Sequence, residues 1–136
     1  MRAMKIKTFF MVFLFFPVVV FAGGTWTGVA KDIEAALKDA LKSYDSGDSE
    51  KAMEEVADAY FAIFEAENAN MEIAVRQRLS LKKATSLERA FTDVRKMMHE
   101  KAPLKEVKKK VLGLALEIKK AAAELDAKGV DAGDRR

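Results

Sequence analysis

The sequence predicts an all-helical domain: an up-down-up-down four-helix bundle with a short extra helix between its second and third members. Three observations carry this. Helix breakers are scarce, since after Gly28 the only glycines are Gly47, Gly113, Gly129 and Gly133, and the only proline is Pro103. Alanine, leucine, lysine and glutamate dominate, and all of them favour helix. Apolar residues recur three and four positions apart through four separate stretches. Short connections between such stretches force sequential neighbours to run antiparallel.

The first 22 residues stand apart. Arg2, Lys5 and Lys7 precede a 15-residue apolar run, Thr8 to Ala22, which ends Val20-Phe21-Ala22. This is the pattern of a secretory signal peptide, cleaved before Gly23. The run is shorter than the 20 or so residues of a spanning helix, and Pro17 interrupts it. An uncleaved N-terminal anchor is the alternative. The expected product is an exported, periplasmic protein with no membrane span after cleavage.

Four helices follow. Val29, Ile33, Leu37, Ala40, Leu41 and Tyr44 form the stripe of the first, and Gly47 stops it. Asp48 or Ser49 caps the second, where Met53, Val56, Tyr60, Ile63 and Glu67 keep a 3-4-3-4 rhythm. Phe61 falls off that seam and is expected to cover the corner or a wider core face. Met71, Ala74 and Val75 mark the short extra helix. Ser80 caps the third helix, with Ala84, Leu87, Phe91, Val94 and Met98 inward. Pro103 opens the fourth as its first residue, and Leu104, Val107, Val111, Leu114, Ile118, Ala121 and Leu125 form its seam. The bundle domain is expected over residues 23–128, and residues 129–136 form a disordered tail.

Composition narrows the function. The leader holds three of the 24 basic residues and none of the 21 acids, which leaves 21 of each in the exported chain. The chain's basic character therefore gives no reason to expect nucleic acid as a partner. No aromatic residue interleaves with Lys108-Lys109-Lys110 or Lys119-Lys120 to stack on bases. These lysines read as a solvated helix face. With no cysteine, thiolate metal sites, covalent haem and disulfides are excluded. Nothing in the sequence supports an enzyme: there is no phosphate loop, no HExxH, and one histidine without a triad spacing.

The charges separate along the chain. Asp45 to Glu72 holds nine acids and one base, whereas Ile73 to Lys128 holds fifteen bases and seven acids. Two helices that complement each other would produce this. One acidic group lacks such an account. Glu65, Glu67 and Glu72 sit at the end of the second helix and just beyond it, where acids oppose the helix dipole. No base lies between Lys51 and Arg76. Glu88 on the third helix can reach the same corner. Clustered carboxylates beside a methionine suit a hard or borderline cation with oxygen ligands. The candidate metal ligands are therefore Glu65, Glu72 and Glu88, with Glu67 as a further member. A salt-bridge network with Arg76, Arg78, Lys82 and Lys83 is the other reading of these acids. His99, near the end of the third helix beside Met97 and Met98, allows a b-type haem-binding bundle, although its position is explained by the helix dipole alone.

One resemblance bears on the choice. The pattern runs Tyr44, Gly47-Asp48, Tyr60-Phe61 with Phe64-Glu65, Met71-Glu72, Lys82-Lys83, then Glu88 and Phe91. It resembles the extracytoplasmic N-terminal domain of bacterial FTR1-family high-affinity iron permeases over about residues 40–100. That family has glycines where this chain has Asn68-Ala69-Asn70, and an acid where it has Ala62. The permease membrane helices and their Arg-Glu-x-x-Glu iron motifs are missing. The resemblance implies a stand-alone soluble domain that binds or delivers iron or another divalent cation, as an accessory to a membrane iron permease. The competing expectation is a periplasmic structural or protein-interaction module without metal.

Overall fold

A computed structural model describes residues 25–133 of the chain. The signal-peptide expectation and the last three residues of the tail lie outside the described residues. Within them the chain is all-helical: α1 (Trp26–Asp45), α2 (Ser49–Asp58) with a π-helical continuation (Ala59–Phe64), α3 (Met71–Arg78), α4 (Leu81–His99) and α5 (Leu104–Ala127). None of these helices is long and apolar enough to cross a membrane.

Asp48 and Ser80 cap their helices as expected, Thr25 and Asn70 cap two further starts, and Pro103 is shifted by one position. Thr25 accepts from the Gly28 N–H, Asp48 from Lys51, Asn70 from Ile73 and Ser80 from Lys83, so a side chain satisfies one orphan donor at each of four helix starts. Pro103 stands one position before α5, as its cap, and not inside it. Gly47, at φ +95°, takes the left-handed turn that ends α1.

The helices pack as a ring. α1 lies against α2 and α5, α4 lies against α2 and α5, and α3 rests mainly on α4. Polar ties fix the directions. The Trp26 N–H at the start of α1 reaches Asp126 at the end of α5, and the Tyr44 hydroxyl donates to the Ala102 carbonyl beside the start of α5. Lys83 and Lys110 pair across α4 and α5 with Glu124 and Asp93, at 2.6 and 3.4 Å. The inward positions on α4 are Ala84, Leu87, Phe91, Val94 and Met98, the stripe its periodicity predicts. Leu104 departs from the expected α5 seam, at 39% exposed.

The second helix departs most. Its regular part stops at Asp58, and the Glu65 N–H bonds back five residues to the Tyr60 carbonyl at 2.8 Å. A π turn of this kind adds a residue to the turn and rotates everything after it. The buried positions therefore run Ala52, Val56, Ala59 and Phe64, ending on a step of five. Phe64 enters the core against Phe91, with ring centres 5.2 Å apart. Phe61 does not cover the core, because the same rotation leaves it 63% exposed. Glu67 does not hold a seam position, because the helix has ended and the residue lies in an exposed bend.

The tail also differs from expectation. The Trp26 indole N–H donates to the Val130 carbonyl at 2.9 Å, and Ala132 is buried. A buried tryptophan needs a partner for its N–H, and the chain after Lys128 supplies it.

Candidate metal site

Three elements meet at the end of the π segment. Glu65 is the first residue after that segment, Glu72 is the second residue of α3, and Glu88 lies on α4. One carboxylate oxygen from each lies within 4.8 Å of the other two. The local signals set this up. The π turn aims Glu65, the Asn70 cap starts α3 so that Glu72 falls in its first turn, and the Ser80 cap phases α4 so that Glu88 follows the buried Leu87. Glu67, the fourth candidate, is not brought to this group. It lines a separate groove with Trp26, Asn70, Arg78 and Val130.

Two groups from the sequence frame the acids. The Tyr60 hydroxyl donates to Glu65 Oε2 at 2.6 Å. Burial, the bond to Glu65 and that carboxylate's charge, then the charges of Glu88 and Glu72, all push the Tyr60 pKa up, so it stays a donor. Arg76 pairs with Glu72 one turn away on α3 and reaches Glu88 at 3.7 Å. Of the four bases in the salt-bridge reading, only Arg76 takes part. Lys83 pairs with Glu124, and Arg78 and Lys82 make no ion pair among the described residues.

Glu72 is the unusual member. It is 3% exposed and is the only charged residue in the buried class among the described residues. Burial, and then a hydrogen bond with the Glu88 carboxyl, raise its pKa above the usual carboxylate range, and Arg76 only partly offsets them. Within this group of three carboxylates, one guanidinium, Arg76, pairs with Glu72 and Glu88. Glu72 therefore holds its proton more tightly than a free carboxyl does.

Oxygens around a hard cation stand roughly 3–5 Å apart across its shell, and the three carboxylate oxygens here lie no more than 4.8 Å from one another. Tyr60 would orient Glu65 from behind, as outer partners of metal ligands do. Met71 is fully buried in the core and adds no sulfur ligand. Its neighbour Glu72 reaches the site because adjacent helix residues point roughly 100° apart. The same rule separates the haem candidates: Met98 is fully buried while His99 is exposed.

The role of Tyr60 was not visible as a ligand support, since five-residue spacing is not a contact in a regular α-helix. Comparisons of the chain with protein-family models, with characterised proteins and with solved structures return no match. The resemblance to the permease domain rests on the residues that carry it.

Proposed function

We propose that the protein is an exported module, built as an up-down-up-down four-helix bundle with one short extra helix, that binds iron or another divalent cation and acts as an accessory to its uptake. The observation that carries this reading is the convergence of Glu65, Glu72 and Glu88 from three elements within 4.8 Å, with one carboxylate buried. Ala69 gives separate support. Its φ of +54° is the left-handed conformation that glycine takes most easily, and it lies where the resembled domain has glycine. A membrane iron permease is the proposed partner.

Calorimetric titration of the purified protein with ferrous, ferric, cupric and zinc ions tests the reading. Saturable binding at micromolar metal is expected for at least one ion. It should be lost in the Glu65→Ala/Glu72→Ala variant. No saturable binding, or binding unchanged in that variant, removes the ligand assignment.

The contacts of Arg76 with both Glu72 and Glu88 favour a second reading, a structural module in which the acids serve only as an ion-pair cluster. On that reading Arg76→Ala destabilises the protein and no cation restores it. On the metal reading, the same variant binds the cation at least as well.

A further inference from the structure

Beside the acids lies a groove of about 450 Å³, between α4 and the second helix with its π segment. Tyr60 and Glu88 belong to its lining, so it adjoins the candidate metal site. The lining also holds two bases, Arg89 and Arg95, among threonines and the apolar Ala57, Phe61 and Phe91. Arg89 and Arg95 make no ion pair among the described residues. The Nε–H of Arg95 is buried and has no hydrogen-bond partner. An orphaned buried donor is rare and needs a reason.

These arginines do not suit a bare cation. Like charges repel, so two free guanidiniums next to a cation site lower its affinity for an ion that arrives alone. They suit a cation that arrives carrying anions. A hard cation takes six to eight oxygens, and three glutamates leave about half of that shell to other donors. A guanidinium is a planar fork that matches a carboxylate with two parallel hydrogen bonds. The groove volume falls in the range of small-molecule sites, about 300–1,000 Å³.

We propose that triad and groove form one site, which takes the cation as its small polycarboxylate chelate. Glu65, Glu72 and Glu88 bind the cation, and the free carboxylates of the chelator lie along the groove against Arg89 and Arg95. Thr85 offers a hydroxyl on the same wall, and the exposed Phe61 ring forms the apolar edge. The proposal rests on the cation-binding reading above and specifies the form in which the cation is bound.

Equilibrium dialysis of the purified protein separates the two. The probes are ferrous ion alone under argon, ferric ion with isotope-labelled citrate, and labelled citrate alone. Labelled citrate should be retained only when iron is present. In Arg89→Gln/Arg95→Gln, with folding checked by circular dichroism, citrate retention should weaken by about tenfold or more, the scale of a lost charge-assisted pair. Ferrous ion alone should bind that variant at least as tightly as it binds the parent, because two like charges are removed from beside the cation. In Glu65→Ala/Glu72→Ala both iron and citrate should be lost. Iron bound with citrate left in solution overturns the chelate proposal and leaves the cation reading intact. Citrate retained equally without iron overturns it as well. No iron bound from any source overturns both.

Discussion

Two carboxylates at the same end of the bundle have opposite fates. Asp126 at the end of α5 accepts from the Trp26 N–H at 2.9 Å, the Thr27 N–H at 3.0 Å and the Thr27 hydroxyl at 2.7 Å. Partial burial works to raise its pKa, yet these bonds outweigh burial and hold it below the usual range. Glu72 is more buried, faces another carboxyl, and is held above the usual range despite Arg76. Asp126 is satisfied by donors that the fold has to supply with partners anyway, the free N–H groups of the first turn of α1. Glu72 has a single basic partner, Arg76, which it shares with Glu88, although Arg78 and Lys82 are close in sequence. A buried acid left short of positive charge, in a chain that satisfies a neighbouring acid fully, marks a functional candidate.

The largest expected effect lies on the satisfied side. Asp126→Ala leaves two backbone donors and a hydroxyl without their partner and unties α1 from α5. Urea unfolding should show a loss of about 1–2 kcal/mol, the scale of a lost acceptor at a helix N-terminus. Because the Asp126 pKa is lowered in the fold, its contribution is present above the unfolded pKa and is lost as pH falls through the folded one. The variant should therefore lose part of the parent's acid-side decline in stability. A loss below a few tenths of a kcal/mol would remove the contrast, since Asp126 would then not be the anchor its bonds suggest.

Much of the frame is legible in the sequence. Asp48 and Ser80 start helices where side-chain capping chemistry puts them, and the stripe of α4 is read residue for residue. The convergence of Glu65, Glu72 and Glu88 is also legible, since no base lies between Lys51 and Arg76 and Glu88 follows the inward-facing Leu87. Glu67 and Phe61 are misread for one shared reason. Both placements extrapolate a regular 3.6-residue period, and the π turn at Ala59–Phe64 breaks that period just before they occur. Nothing local announces a π turn. It is set by tertiary packing, here the docking of Phe64 against Phe91. The groove is hidden for a similar reason. Arg89 and Arg95 are ordinary surface residues of a helix until the neighbouring turn rotates Phe61 out beside them.

The next effect concerns how the acids are held. Tyr60→Phe keeps the ring contacts with Phe64 and Phe91, at 5.7 and 5.1 Å, and removes only the hydroxyl on Glu65. Loss of such an orienting partner should weaken cation affinity by about tenfold. Stability should change by no more than about 1 kcal/mol, as for one hydrogen bond. Titration calorimetry and urea unfolding on the same variant read both. Unchanged cation affinity would mean that Glu65 needs no orientation, and its membership in the site would be in doubt.

The smallest change in stability is the most discriminating, because its sign differs from that at Asp126. Glu72→Gln keeps the volume of the side chain, keeps an oxygen for Arg76 and offers an N–H to Glu88 in place of a repelling carboxylate. Stability at neutral pH should rise by roughly 0.5 kcal/mol, as when strained functional residues are neutralised. The pH dependence gives the sign independently. A carboxyl whose pKa is raised in the fold binds its proton more tightly folded than unfolded. Stability of the parent should therefore fall as pH rises, from the usual glutamate range through the raised folded value, and level off above it. Glutamine has no proton to lose, so this decline should vanish in the variant, while the acid-side loss that belongs to Asp126 persists. Urea unfolding across the pH range reads both limbs in one series. A variant that loses more than about 1 kcal/mol at neutral pH would show that Glu72 is held as firmly as Asp126, and the corner would then be an ion-pair cluster with no demand left for a cation.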